Sequence, residues 1–291
     1  MKVLITGGKG QIGSDLQAVL SPDFEVLALA KDELDISQGE AIERVLQERR
    51  PSLVVNAAAF TKVDACETER TLAWRVNAEA PGFLAWACRE RGIPLLHLST
   101  DYVFDGAKDP VEAYSEDDPT NPLSFYGLSK LEGERQVLAS GADALILRTA
   151  WVYGGKGANF LKAILRRALQ GQALRVVNDQ WGTPTWSFRI ARQIRRLIEA
   201  EAGGVFHLAA EGVATWYEVA RTFFELMKLE VDLVPCTTAE YPTPARRPAN
   251  SRLAIRRLAA AGLSEMRDWR EDLAAFVAQY REPLIQEVKA P

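Results

Sequence analysis

Tyr126 and Lys130 are four residues apart in a segment whose pattern predicts a helix, so their side chains share one helix face. A phenol can give a proton to a carbonyl oxygen that gains negative charge. Its ordinary pKa of about 10, however, hinders proton exchange near neutral pH. A neighbouring ammonium favours the phenolate, so we expect Lys130 to lower the pKa of Tyr126. The pair predicts acid–base chemistry at a carbonyl group.

A hydroxyl that could assist this chemistry follows an apolar segment predicted as a parallel strand, which ends in Ser99 and Thr100. Parallel sheets bind ligands at the carboxyl ends of their strands. Thr100 could therefore donate a hydrogen bond to the same carbonyl oxygen and fix its orientation. We predict Thr100, Tyr126 and Lys130 as catalytic residues. We also predict that Tyr126 and Lys130 contact the nicotinamide cofactor, with Lys130 holding its ribose.

A glycine-rich loop provides the predicted cofactor site. Gly7, Gly10 and Gly13 follow the first apolar strand and lead into a helix. Gly7 permits a tight turn, Gly10 the close approach of a pyrophosphate, and Gly13 close packing of helix on strand. Free N–H groups at the start of the helix favour an anion. The predicted cofactor contacts are Gly7, Gly10, Gln11 and Ile12; a purely structural turn is the alternative.

The choice of cofactor depends on the end of the second strand, where a carboxylate would bind the ribose of NAD and a cation would accept the 2′-phosphate of NADP. The sequence there has both Lys31 and Asp32. We favour NADPH, bound by Lys31, with NADH also accepted; two solvated loop charges are the alternative. Small residues after the third strand, Ala57, Ala58 and Ala59, would let the adenosine half of the cofactor lie against backbone, although they could also be plain core.

The elements that must position these residues alternate between short apolar runs and helical patterns, which predicts the α/β class with a doubly wound parallel sheet of Rossmann type. Continuous apolar runs are typical of strands buried on both faces. The predicted strands are 3–5, 26–29, 53–55, 95–98, 144–147 and 205–208. The predicted helices are 11–20, 39–48, 68–91, 125–138, 159–170, 188–201 and 269–280, with another opened by the capping box of Thr215 and Glu218.

Two interleaved domains are expected from this pattern. Residues 1–150, with a returning segment at about 185–210, should form the dinucleotide-binding Rossmann domain. Residues 151–184 and 211–291 should form a second, smaller α/β domain. Prolines within 241–248 exclude a helix there.

Composition excludes several classes of protein. The 291 residues are 47% hydrophobic and carry a formal charge of −4, which suits a globular protein and disfavours a nucleic-acid binder. Cys66, Cys88 and Cys236 are too far apart for a zinc ribbon or a disulfide scaffold and suit a reducing compartment. No segment predicts a membrane helix or a signal peptide. We expect a cytoplasmic protein with a small-molecule substrate.

These residues and several further segments resemble the dTDP-4-dehydrorhamnose reductase family of the extended short-chain dehydrogenases/reductases. The resemblance runs almost end to end. Its segments are residues 7–13, 56–64, 99–106, 126–130, 148–154, 178–185, 216–218 and 247–251.

The resemblance implies reduction of the C4 ketone of dTDP-4-dehydro-L-rhamnose to dTDP-L-rhamnose, a precursor of cell-surface polysaccharides. The hydride would come from nicotinamide and the proton from Tyr126. It implies that Asp35 and Ile36 contact adenine, unless they are plain core and turn, and that the second domain mainly binds the sugar nucleotide. The implied substrate contacts are Thr61, Val63, Thr100, Asp101, Tyr102, Tyr126, Trp151 and Arg247.

Two of these substrate contacts have a physical argument of their own. The indole face of Trp151 could stack on sugar C–H groups. The guanidinium of Arg247 matches the oxygens of a diphosphate, although a structural salt bridge is the alternative.

Two departures from the family pattern limit what the resemblance implies. Some relatives are dimers bridged by magnesium on glutamates, but the corresponding helix here is rich in arginine: Arg189, Arg192, Arg195 and Arg196. We therefore expect no metal, a solvated arginine face, and a homodimer only as an option. Ala254 stands where an acidic residue is usual, which weakens the detail of the nucleotide site.

Three other functions stay open on the same fold. A 4,6-dehydratase would need a glutamate where this chain has Tyr102, directly after Asp101. A 4-epimerase would retain its NAD through each turnover. Relatives also serve as NADP-binding regulatory subunits of methionine adenosyltransferase.

Overall fold

A computed structural model describes residues 1–289. Six parallel strands form the central sheet in the order β2-β1-β3-β4-β5-β10. The strand order reverses at β1, because β2 pairs on one side of β1 and β3 on the other. The strands are β1 (Lys2–Thr6), β2 (Glu25–Leu29), β3 (Leu53–Asn56), β4 (Leu95–Thr100), β5 (Ala144–Thr149), β6 (Val152–Tyr153), β7 (Leu174–Val177), β8 (Trp181–Gly182), β9 (Thr185–Trp186), β10 (Gly204–Leu208), β11 (Ala214–Thr215) and β12 (Leu233–Cys236).

Helices cover both faces of this sheet. They are α1 (Gln11–Leu20), α2 (Gly39–Arg49), α3 (Arg70–Trp74), α4 (Ala80–Arg89), α5 (Phe125–Ala139), α6 (Phe160–Leu169), α7 (Ser187–Glu199), α8 (Trp216–Met227), α9 (Arg256–Ala260) and α10 (Trp269–Lys289), with short 3₁₀ turns at Ala65–Glu67 and Asp101–Val103. No helix within residues 1–289 combines the length and the apolar content needed to cross a membrane.

The apolar runs form strands because both of their faces are buried. In β1, Val3 and Ile5 pack with Leu16 in one apolar cluster, whereas Leu4 packs with Ile42 in a second cluster. Alternate side chains of a strand point to opposite faces, so a fully apolar strand is stable only between two helical layers. The predicted doubly wound α/β fold is confirmed.

Two helices differ from the sequence prediction. The helix predicted over 68–91 is divided by a five-residue π-helix at Arg75–Glu79, and Pro81 opens the α4 segment that follows. The last helix, α10, continues to Lys289 through Pro283 instead of ending at residue 280.

The returning segment joins the central sheet as predicted, since β10 pairs with β5. A third apolar cluster lies outside the sheet, built by α6, α8 and α10 around Trp269, Phe223 and Phe276. Short strands of the second half flank it, including β7 paired with β12. The division into two domains at the predicted boundaries stays a prediction.

The arginine face predicted on α7 is wrong for one of its members. Arg189 is 6% exposed, and its guanidinium donates three hydrogen bonds of 2.7–3.2 Å to the carboxylate of Asp272 on α10. Arg192 and Arg195 keep partly exposed side chains with carboxylate partners. Arg189 turns inward because its position on α7 faces α10, which the arginine pattern does not reveal.

Candidate active site

Helix α5 brings Tyr126 to the carboxyl end of β4. The helix begins after Ser124, whose hydroxyl accepts a hydrogen bond of 3.2 Å from the N–H of Gly127. A Cβ at Gly127 would lie 2.1 Å from the carbonyl oxygen of Tyr102, so only glycine allows the helix to approach this turn. Tyr126 consequently lies beside Thr100, the last residue of β4.

The pKa of Tyr126 differs from the one that the sequence predicted. Burial raises the pKa of this phenol, which is 9% exposed, and a hydrogen bond with Thr100 lowers it by less. The expected lowering by Lys130 is wrong for this structure, because the ammonium lies elsewhere. A phenol with a raised pKa is fully protonated at neutral pH, which suits a group that donates its proton during reduction.

Lys130 is buried one helical turn from Tyr126. The residue is only 2% exposed, and its Nζ donates a hydrogen bond of 2.7 Å to the carbonyl oxygen of Leu98. Burial lowers the pKa of Lys130 to about 8, although the carboxylate of Glu134 acts in the opposite direction and raises it. The lysine can therefore change its charge within the range of pH in which enzymes work.

The turn after β4 adds two further predicted residues to the site. The Thr100 hydroxyl donates to Oδ1 of Asp101 at 2.9 Å and accepts from the N–H of Tyr102 at 3.2 Å. Burial raises the pKa of Asp101 to about 6. The Tyr102 ring stands edge-on to the Tyr126 ring, with centroids 5.5 Å apart. Thr100, Asp101, Tyr102 and Tyr126 thus form one cluster.

The glycine loop has the geometry that a dinucleotide needs. Gly7 has a φ of +68°, and a Cβ there would lie 2.9 Å from the backbone of Ala57 and Ala58. A Cβ at Gly13 would lie 2.2 Å from the carbonyl oxygen of Gly7. Helix α1 has no acidic residue in its first turn and no capping side chain, so its first N–H groups are available to an anion. The residues present fit a dinucleotide pyrophosphate at Gly10 and the two residues that follow it.

A second lysine, which the sequence did not indicate, lies near the predicted ribose contact at Lys31. Lys31 is exposed at the end of β2, and Asp32 next to it binds Nζ of Lys9, from the glycine loop, at 3.0 Å. Two lysines thus flank a single carboxylate. Ile36, predicted to contact adenine, is 3% exposed within an apolar cluster, and Asp35 accepts a hydrogen bond from the N–H of Ser37. Their adenine contact stays a prediction.

Two further residues predicted to bind substrate, Val63 and Arg247, contact Tyr126 or its neighbour Tyr102. Val63 packs with the cluster that contains Tyr126, whereas Thr61 is exposed on the same loop. Arg247 donates two hydrogen bonds to the carboxylate of Asp64, at 3.0 and 2.9 Å, and it also bonds Tyr102. The alternative of a salt bridge for Arg247 is what the structure contains, and the diphosphate role stays a prediction.

The indole of Trp151 is fixed by contacts that the sequence did not indicate. It has a φ of +47°, unusual for a bulky residue, and its indole stacks on that of Trp216 with centroids 3.7 Å apart. Its Nε1 donates a hydrogen bond of 3.0 Å to Ser251, and a Cβ at Gly182 would lie 2.3 Å from the ring. One indole face is therefore covered by Trp216, so any stacking on a sugar is restricted to the rest of the ring.

Two polar contacts that support the site had no local signal in the sequence. The carboxylate of Glu134 binds the guanidinium of Arg148 at 2.7 Å, with both side chains almost fully buried. The amide of Asn159 donates to Oε1 of Gln11, at 3.0 Å, and so ties the second half of the chain to the glycine loop. The second contact joins segments 148 residues apart, and the first depends on how the consecutive elements α5 and β5 pack together; residue spacing predicts neither.

Comparison with known proteins gives consistent matches over nearly the whole chain. A family model described as RmlD substrate binding domain matches residues 1–282. A dTDP-4-dehydrorhamnose reductase of Burkholderia thailandensis is 40% identical over 287 residues, which cover 93% of this chain and 96% of that protein. A probable dTDP-4,6-dihydroxy-2-methyloxan-3-one 4-ketoreductase of Streptomyces antibioticus is 43% identical over 277 residues, covering 94% of this chain and 93% of the relative.

A solved structure agrees with these sequence matches. The dTDP-4-dehydrorhamnose reductase of Bacillus anthracis, in complex with NADP, superposes with a TM-score of 0.92 at 35% identity and covers 96% of this chain and 99% of that one. The family expected from the sequence is thereby confirmed. The chain belongs to the dTDP-4-dehydrorhamnose reductase family, whose model carries the description RmlD substrate binding domain.

Proposed function

We propose that this protein reduces the C4 ketone of dTDP-4-dehydro-L-rhamnose to dTDP-L-rhamnose with NADPH, and accepts NADH as well. The observation that carries the proposal is the position of the Tyr126 phenol, buried beside Thr100 at the edge of the sheet that also holds the glycine loop. Reduction of a ketone needs a proton donor at the carbonyl oxygen next to a hydride donor. The product would supply cell-surface polysaccharide synthesis.

The residues divide the work of the reaction among them. Bound dihydronicotinamide supplies the hydride. Tyr126 gives its proton to the carbonyl oxygen as negative charge develops there, and Thr100 helps to orient that oxygen. The ammonium of Lys130 would hold the ribose of the bound nicotinamide through its N–H donors. The loop from Gly7 to Ile12, together with Ala57, Ala58 and Ala59, would hold the two halves of the dinucleotide.

The substrate would lie between this cluster and the second half of the chain. We assign the sugar-nucleotide domain to residues 151–184 and 211–291, and its contacts to the residues around Tyr102, Val63, Trp151 and Arg247. Binding of a diphosphate by Arg247 requires the ligand to compete with Asp64, whose carboxylate occupies both of its terminal nitrogens. The phosphate oxygens offer the same bidentate geometry.

A coupled assay tests the function. The 4-keto-rhamnose nucleotide is made in place by a dehydratase and an epimerase, and the near-ultraviolet absorbance of NADPH and of NADH is followed in separate reactions. Oxidation of added cofactor with formation of dTDP-L-rhamnose supports the proposal. Turnover without added cofactor would indicate an epimerase, and recovery of a stoichiometric partner with no reduction would indicate a regulatory subunit. The ketone named for the Streptomyces relative serves as the competing substrate.

Cofactor preference gives a first specific prediction. Lys31→Glu is expected to lower the ratio of kcat/KM for NADPH to that for NADH by about tenfold, because a carboxylate repels the 2′-phosphate and binds the 2′-hydroxyl. Arg44→Glu makes the same change of charge at an exposed position on α2 and should leave the ratio unchanged. An equal response of both variants would assign the effect to overall charge.

A homodimer is part of the proposal and has support on one surface. Phe83 and Trp86 on α4 are 51% and 56% exposed and line one surface depression, which is unusual for two large apolar side chains. Light scattering after size exclusion should give the mass of a dimer, and Trp86→Glu should shift it towards the monomer. A monomeric unmodified protein would refute this part.

We also propose a cytoplasmic location. Cys66, Cys88 and Cys236 are free and buried, and burial raises the pKa of the Cys66 thiol to about 11 and that of Cys88 to about 12. Unpaired cysteines of this kind suit a reducing compartment. Cell fractionation against a cytoplasmic marker enzyme checks the location.

A further inference from the structure

A buried chain of polar side chains runs behind the catalytic cluster, from Lys130 through His97 and Asn56 to Thr6. Each of the four is at most 2% exposed. Nζ of Lys130 lies 3.5 Å from Nε2 of His97, and Nδ1 of His97 lies 3.0 Å from Nδ2 of Asn56. Oδ1 of Asn56 accepts a hydrogen bond of 2.7 Å from the Thr6 hydroxyl. The chain therefore joins the lysine to the strand that leads into the glycine loop.

The protons in this chain can be placed from its donors. The N–H of Ala58 points at Oδ1 of Asn56, at 3.3 Å, which leaves Nδ2 of the amide to face His97. Nδ1 of His97 therefore accepts a hydrogen bond, and a neutral imidazole then carries its proton on Nε2. The ring is neutral because burial, and after it the charge of Lys130, hold the pKa of His97 well below its usual value. An N–H donor is consequently directed at the lysine amine.

We infer that His97 is a positioning residue whose Nε2–H favours the neutral amine of Lys130 over the ammonium. The neutral amine has a lone pair that can accept this hydrogen bond, whereas the ammonium has only donors. The inference rests on the proposed function, in which Lys130 acts as a cation that holds the nicotinamide ribose. His97 thus adds to the effect of burial and lowers the pH at which the reductase loses that cation.

The other neighbours of Lys130 leave this role to the imidazole. The Leu98 carbonyl accepts a hydrogen bond from either form of the amine. The carboxylate of Glu134, on the next turn of α5, favours the ammonium, but it is held by Arg148 at 2.7 Å. Tyr126, on the preceding turn, is an uncharged phenol. The donor on Nε2 is the one neighbouring contact among residues 1–289 that selects the neutral form.

The sign of the pH effect follows from the charge of the amine. Burial lowers the pKa of Lys130 to about 8. The ammonium is present below that pH and is lost as the pH rises through it. The alkaline limb of the kcat/KM profile for ketone reduction therefore reports the loss of charge on Lys130.

Two substitutions of His97 separate the donor from the rest of the ring. His97→Gln keeps an acceptor for Asn56 and an N–H towards Lys130, so its alkaline limb should coincide with that of the unmodified protein. His97→Leu removes the donor, so the alkaline limb of its kcat/KM profile should move to higher pH by about half a pH unit to one pH unit. A Leu variant with an unshifted or lowered limb, or a Gln variant that shifts as far as Leu, would overturn the inference.

A second measurement does not depend on activity. Protein labelled with ¹³C at lysine Cε is titrated by NMR, with the Lys130 resonance assigned by its loss in Lys130→Met, and with and without NADP⁺. The Lys130 midpoint should rise in Asn56→Asp, because a carboxylate accepts from Nδ1–H and turns an unprotonated Nε2 towards the lysine. An unchanged midpoint in this variant overturns the inference even if His97→Leu does not fold. A shifted midpoint with no ketone reduction would refute the proposed function alone.

Discussion

Tyr126→Phe is expected to lower kcat for ketone reduction by about 100- to 10,000-fold, the range that a positioned general acid contributes. Phenylalanine keeps the ring, and therefore the edge-on contact with Tyr102 and the packing against Val63. It removes only the hydroxyl, whose raised pKa keeps it protonated at neutral pH. Affinity for NADPH, measured by fluorescence titration, should change little, because the glycine loop is untouched.

A matched control exists in the same chain. Tyr153 is 2% exposed and its hydroxyl has no hydrogen-bond partner within residues 1–289, so Tyr153→Phe removes a buried phenol outside the proposed reaction. This variant should retain nearly full activity. Near-normal turnover in Tyr126→Phe would contradict the assignment of the proton donor. Loss of activity in both variants would instead indicate a general sensitivity of the fold to buried hydroxyls.

Features that depend on a few neighbouring residues were predicted correctly from the sequence. Val3, Leu4 and Ile5 form a buried strand, Gly7 begins a tight turn, and Tyr126 and Lys130 share one helix face. Each of these follows from the conformational preference of a few neighbouring residues. The fold class could be derived from such signals, and so could the meeting of Thr100 and Tyr126 at one edge of the sheet, because parallel strands all end there.

Contacts between distant segments could not be derived in this way. Trp151 stacks on Trp216, and Arg247 binds Asp64 across more than 180 residues of sequence. The pKa of Tyr126 depends on the direction in which the amine of Lys130 points, and this amine turns to a strand carbonyl. Helical spacing gives the face of a side chain but neither its partner nor its burial.

Glu134→Gln is expected to lower the free energy of unfolding by about 3 kcal/mol or more, because it leaves the guanidinium of Arg148 buried without a counter-charge. The two side chains are 3% and 7% exposed, and three hydrogen bonds of 2.7–3.2 Å join them. Urea unfolding followed by circular dichroism measures the change. Glu132→Gln is the control on the same helix: its partner Arg135 is 60% exposed at 3.6 Å, so we expect a change below about 0.5 kcal/mol.

The same pair allows a test of why the charges are there. Replacing both partners, Glu134→Leu with Arg148→Met, removes the unpaired charge, so the double variant should be more stable than Glu134→Gln. It should not regain full stability, because the Ser99 hydroxyl then loses its buried acceptor. The carboxylate also favours the cation of Lys130, so the double variant should lose ketone reduction at a lower pH than the unmodified protein. Equal stability of the double and single variants would show that the cost lies in packing and not in an uncompensated charge.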